Sequence, residues 1–200
     1  MAVENGGKMI ITKDWLDEKG ACSLGKEWVL KNAPNMEGLD LVKKLLDKDL
    51  SWANWLIVRI MTYKQYVSYA VFAAEQVIDM YEKKYPKDDR PRKAIEAAKK
   101  CIANPSKENK AAAAAAYAAA YAAADAAAAD AYAASYAAAS AAYAAADDAY
   151  AAAAAYAAAS AADAAYAADA AYAYAAAARK SMQLKILNYG IGLLEASDGK

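Results

Sequence analysis

Histidine is absent from this chain of 200 residues, and only two cysteines occur, Cys22 and Cys101. They stand far apart, with no Cys-x-x-Cys pair. These absences exclude the common zinc sites and the Ser-His and Cys-His nucleophilic arrangements. The sequence therefore predicts no catalytic residue, no metal site and no cofactor. Phenylalanine occurs once and tryptophan four times against sixteen tyrosines, so most of the aromatic mass carries a polar tip. The formal net charge is zero, which gives no general attraction to nucleic acid. No basic-then-apolar segment opens the chain, and residues 1–9 are polar and glycine-rich. A long alanine run could span a bilayer by length alone, but aspartates are spread through it, and each would cost roughly 3 kcal/mol in the membrane. A cytoplasmic protein with no membrane partner is expected.

The zero net charge hides an asymmetry. Residues 111–178 consist of 49 Ala, ten Tyr, six Asp and three Ser, with no Lys or Arg. That tract carries −6, and the remainder carries +6, with 24 basic residues against 18 acidic ones. The two parts should attract and pack together. Alanine is the best helix former, because it loses no side-chain rotamer freedom, and no Gly or Pro interrupts the tract. On a helical wheel Tyr117, Tyr121, Tyr132, Tyr136, Tyr143 and Tyr150 fall within roughly 100° of one another, opposite a face of almost pure alanine. The phase is lost at Tyr156, Tyr166 and Tyr174, which suggests a bend near Asp147-Asp148. One unbroken rod would be about 100 Å long and would leave its tyrosines wet. Two to four antiparallel helices are expected instead, with Asp125, Asp130, Ser140, Ser160 and Asp163 as candidate breaks.

Before the tract, apolar residues recur at helical spacing. Residues 10–32 read as two short helical turns, started near Thr12 and stopped by Gly20, with Pro34-Asn35 as a breaker and Asn35 as a cap for the next helix. Met36 to Leu50 forms one amphipathic segment. From Asp49-Leu50-Ser51 a strong pattern (Trp52, Trp55, Leu56, Ile60, Tyr63, Val67, Val71, Ile78, Tyr81) runs on to Tyr85 and stops at Pro86. Asp88 or Asp89 can cap a helix over Arg92–Ala103, and Arg179–Ala196 gives a last amphipathic helix. The fold class read from this is all-α, a multi-helix bundle or helical-hairpin stack with no sheet. Three parts are distinguished: a leader-like segment over 1–35, an amphipathic core over 36–110, and the Ala/Tyr region over 111–200, packed as one unit with 36–110.

Trp52–Met61 (WANWLIVRIM), Lys83–Lys100 (KKYPKDDRPRKAIEAAKK) and the alanine-rich run that follows carry a family resemblance, of which Tyr85-Pro86, Asp89-Arg90-Pro91-Arg92 and Ala94–Ala98 are the most specific part. Over about residues 50–195 the chain resembles the immunity proteins of bacterial polymorphic toxin systems, some of them phage-encoded. The resemblance implies an all-helical, non-enzymatic protein that neutralises a toxin or defence protein by direct binding. Many relatives carry His and Arg where this tract carries Tyr, and if those positions touch the partner, the partner here is a different one. Thr12–Trp28 looks like a leader that precedes unrelated bacterial domains.

Candidate binding residues follow from both lines of reasoning. The tyrosine stripe (Tyr117, Tyr121, Tyr132, Tyr136, Tyr143, Tyr150) either fills space beside small alanine faces, offers a recognition surface or stacks nucleobases. The six aspartates are caps and solvated faces, or an acidic groove. Arg59 interrupts an apolar pattern and calls for a carboxylate, with Asp89 or Glu96 as candidates, tying two helices together. Arg90 and Arg92 could join Arg59 around a small anionic ligand. That gives the alternative function, a phage-encoded sponge for a nucleotide-like molecule. A structural or ice-binding rod is a weaker alternative, since the tract has no Thr and no regular spacing.

Overall fold

Side-chain caps punctuate the first half of the chain. The Thr12 hydroxyl accepts from the Trp15 N–H at 3.2 Å and starts α1 (Lys13–Glu18), followed by α2 (Ser23–Asn32) after a turn in which Gly20 takes the left-handed conformation at φ 69°. Glu37 accepts from the N–H groups of Leu39 and Asp40 to start α3 (Gly38–Leu46), and Asp49 does the same for Ser51 and Trp52 at α4 (Leu50–Ile60). Asn35 therefore caps nothing. It sits at φ 53°, a conformation Asn tolerates, and turns the chain into a short strand. The computed structural model describes residues 3–5, 8–125, 127, 129–147, 151–167 and 172–198.

The fold is an all-α multi-helix bundle carrying one small sheet, which corrects the expectation of no strands. β1 (Val3–Asn5), β2 (Lys8–Ile11) and β3 (Met36–Glu37) pair antiparallel in that order, with Val3 opposite Ile10 and Ile11 opposite Met36. Ile11 points into the core at 1% exposure, so the sheet seats the start of the chain against the bundle. The apolar pattern over 50–85 is also not one helix. It is α4, then α5 (Tyr63–Glu75), then α6 (Ile78–Lys84). The first break is a capping box: the Thr62 side chain bonds the first turn while the Gln65 amide oxygen accepts from the Thr62 N–H at 2.8 Å. After Pro86 comes α7 (Arg90–Ala103), two residues longer at its start than the sequence pattern gave.

The alanine tract folds back on itself as α8 (Lys107–Asp125), α9 (Ala129–Ala146), α10 (Ala151–Ala167) and α11 (Tyr172–Asp198). Breaks fall after Asp125 and at Asp147, as expected. Asp130, Ser140, Ser160 and Asp163 lie inside helices, because one polar residue costs an alanine helix only a few tenths of a kcal/mol. The amphipathic segment expected from Arg179 is the second half of α11 rather than a separate helix.

One hydrophobic cluster runs from Ile11 to Leu194. Tyr69, Leu41, Leu56, Ile57, Ile78, Ile95, Ile186 and Leu187 are its largest fully buried members apart from Tyr81 and Ile11. Helix α9 passes through the middle of the bundle, packed on α5, α6, α7, α8 and α10, and its alanines from Ala137 to Ala139 and at Ala141, Ala142, Ala144 and Ala145 are fully buried. The alanine faces of α9 are covered by these neighbours, while its tyrosine edge, with Tyr132, reaches solvent. Polar side chains tie the layers. Tyr69 donates to Asn54 Oδ1 at 2.8 Å, Asn54 donates to the Ala155 carbonyl at 3.0 Å, Tyr63 to the Ala145 carbonyl at 2.6 Å, and Gln65 to the Leu193 carbonyl at 2.9 Å. Gly190 lets α11 cross α4 and α5 closely, since a Cβ there would lie 2.7 Å from the Tyr69 ring and 2.8 Å from Ile57 Cδ1. Among the described residues no helix is long and apolar enough to cross a membrane.

Candidate functional site

On α9 and α10 most alanines turn inward, while Tyr121, Tyr132, Tyr156 and Tyr166 are exposed and Tyr117 and Tyr143 pack partly buried against the core. Ser135 is fully buried and its hydroxyl donates to the Ala120 carbonyl at 2.9 Å, which sets α8 and α9 side by side in antiparallel register. That register brings tyrosines from the two helices together. Tyr117 stacks on Tyr143 with centroids 4.7 Å apart, Tyr121 meets Tyr136 at 5.7 Å, and Tyr132 stacks on Tyr136 at 5.8 Å. Tyr117 and Tyr121, one turn apart on α8, meet at 5.9 Å. The rings therefore form a continuous ladder of five. It is not the stripe of a single helix, because the chain breaks after Asp125 and the two halves of the ladder meet through the hairpin.

The ladder runs from the edge of the core, where Tyr117 and Tyr143 are partly buried, out to the surface. Tyr121 is 37% exposed and Tyr132 is 39% exposed, and on α10 Tyr156 is 62% exposed. Tyr136 sits at the centre, half-buried. Burial pushes its hydroxyl above the ordinary phenol range, with smaller contributions in the same direction from Tyr132, Tyr121, Tyr117 and Tyr156. Tyr156, out of phase on a single helix, thus comes within electrostatic range of the ladder because α10 is a separate helix beside α9. The reading in which the rings fill the bundle interior is overturned for Tyr121 and Tyr132: alanine against alanine leaves no interior space for them. Tyr150 lies outside the described residues. Asp125, Asp147 and Asp163 are exposed, and Asp163 pairs with Arg179 at 2.8 Å.

The arginines do not assemble as expected. Arg59 reaches neither Asp89 nor Glu96. Its guanidinium stacks over the Trp55 ring 4.1 Å from the centroid and donates to the Trp55 carbonyl at 2.7 Å, so the indole and the last turn of α4 take the place of a carboxylate. Half-burial lowers its pKa, but a guanidinium stays charged. Arg90 is held by Asp88 through a fork of 2.8 and 2.6 Å, and Asp88 also accepts from the Arg90 N–H at 3.2 Å and from the Tyr81 hydroxyl at 2.7 Å. The Arg90 bonds hold the Asp88 carboxyl well below the usual carboxylate range. Burial and then Asp88 push the Tyr81 hydroxyl up to about 12. Arg92 grips Glu82 on α6 at 2.6 and 2.7 Å, and Asp89 pairs with Lys93 at 3.0 Å. Glu96 is exposed on α7. These pairs fasten the α6–α7 corner, and the guanidiniums of Arg90 and Arg92 each grip a carboxylate rather than gathering with Arg59 around an anion.

Sequence reasoning missed one feature altogether. The segment set aside as a leader closes, with α3 and α4, a crevice of about 280 Å³ walled by Leu16, Val29, Leu45, Trp52 and Trp55. Four tryptophans spread over residues 15–55 were the available signal. Cys22 is exposed at its mouth, whereas Cys101 is buried, and burial pushes that thiol up. Among the described residues no group of His, Cys, Asp and Glu could hold a metal ion. No family model, curated protein or solved structure matches this chain.

Proposed function

We propose that this protein works by binding another protein through the tyrosine-and-aspartate face of α8, α9 and α10, as an immunity-type inhibitor that neutralises a toxin or a defence protein. The observation that carries the reading is the set of exposed tract rings. Four of the five large hydrophobic side chains with high exposure among the described residues are tract tyrosines: Tyr121, Tyr132, Tyr156 and Tyr166. Tyrosine gives a large, stiff contact at low entropy cost, and rings stacked and tilted against one another are ordered before a partner arrives. Nearby exposed Asp125 supplies an acceptor for a basic partner surface. A nucleic-acid platform needs cations beside its rings to hold the phosphates, and residues 111–178 contain no Lys or Arg. The sequence resemblance to immunity proteins points the same way.

Affinity capture of the full chain from its native host, read by mass spectrometry, should return a protein in stoichiometric amount. A variant carrying Tyr121→Ala, Tyr132→Ala and Tyr156→Ala should lose that protein while keeping its helicity. Capture at wild-type level by the variant, or recovery of a small molecule with no protein, would reject the proposal.

A further inference from the structure

We infer that the crevice between the α1–α2 corner and helices α3 and α4 is a binding site for a small, uncharged aromatic molecule. Its volume, about 280 Å³, lies just under the roughly 300–1,000 Å³ of ligand pockets and is too narrow for a helix roughly 10 Å across. Its walls are Leu16, Val29, Leu45, Trp52 and Trp55, and no charged side chain lines it, which excludes nucleotides and other anions. The indole walls are braced from behind. Trp15 packs edge-on against Trp55 at 6.1 Å, and Trp28 leans on Trp52 at 6.3 Å, so both rings present fixed surfaces for stacking. The mouth is kept clear by small residues. Gly20 turns at φ 69°, and a Cβ on Gly25 would already stand 3.2 Å from Cys22 Sγ and 3.5 Å from the Trp52 ring. Cys22 and Ser51 are the polar side chains at the rim, enough for one hydroxyl or amine of a ligand whose body is buried. This site is separate from the tyrosine face and stands or falls independently of it.

Titration of the full chain with N-phenyl-1-naphthylamine, an uncharged aromatic probe, tests the site. The account expects saturable binding of one probe per chain, quenched tryptophan emission, and at least fivefold slower alkylation of Cys22 by iodoacetamide at saturation. Ala21→Trp, which fills the crevice from its edge, should weaken binding at least tenfold. The Cys22 protection on the unmodified chain stands alone if that variant fails to fold. Unsaturable uptake, unprotected Cys22, or wild-type binding by a folded Ala21→Trp chain would overturn the inference. So would protection that follows protein concentration and vanishes in Leu24→Lys, since exposed Leu24 would then be seating a second copy there.

Discussion

The two halves of this bundle solve the packing problem in opposite ways. From Ile11 to Cys101 the chain buries large side chains, such as Trp15, Leu41, Leu56, Ile57, Tyr69 and Ile95, and leaves charged groups outside. From α8 to α10 it buries alanine against alanine and leaves its large rings half in water. A buried alanine removes little apolar area, at about 25 cal/mol per Å². The second half must therefore rely on helix propensity and on close approach of backbones, while the first half contributes most of the hydrophobic stabilisation. Deleting volume should hurt the first half most, and adding volume should hurt the second.

The largest expected effect is in the first half. Ile95 is fully buried on α7, and Ile95→Ala should lower stability by about 3 kcal/mol in urea unfolding. In the tract the damaging change runs the other way. Ala138 is fully buried on α9, on a face packed against neighbouring helices, so Ala138→Leu should cost about 2–3 kcal/mol through overpacking, although leucine is a good helix former. If Ala138→Leu were neutral, the central helix would be loosely packed and the contrast would fail.

A smaller effect is expected at the α6–α7 corner and depends on pH. Asp88 has a folded pKa below its unfolded value, mainly because of Arg90, so its contribution is present above the unfolded carboxylate value and is lost as pH falls. Asp88→Asn should cost about 2 kcal/mol at pH 7. The gap between variant and parent should narrow as pH falls below about 4, toward and through the depressed folded value. A gap that stays constant down to pH 2 would mean that the carboxylate charge is not what fastens the corner.

Much of this architecture was legible in the residues, and the misreadings have physical causes. Caps at Thr12 and Asp49 and the stop at Pro86 were readable because each is a local hydrogen-bonding or steric event, and the breaks at Asp125 and Asp147 because charged residues interrupt the alanine run there. The break at Met61-Thr62 was equally local, a Thr-x-x-Gln box, but a continuous apolar period ran across it and dominated the reading. The β2–β3 pairing was missed because β3 is only two residues long and finds its partner 25 residues back, a non-local pairing. Of the candidate site, the tyrosines could be named from spacing, yet spacing cannot say which side of a helix faces neighbours once the whole circumference is apolar. The Arg59 expectation failed for a related reason: the sequence shows that a charge needs a partner, not that an indole four residues back can serve. The tryptophan crevice needed four elements to meet, and nothing in one segment announces it.

The claim that the tract's rings work outward is tested most directly by urea unfolding of the chain carrying Tyr121→Ala, Tyr132→Ala and Tyr156→Ala. Three ring–ring contacts are lost, each worth about 1 kcal/mol, while alanine returns about 0.5 kcal/mol of helix propensity at each site. The account predicts a net loss of about 1–2 kcal/mol with an unchanged dependence on urea. A loss of more than about 4 kcal/mol, the scale of a single buried aromatic deleted from a core, would contradict it and return the tyrosines to the interior.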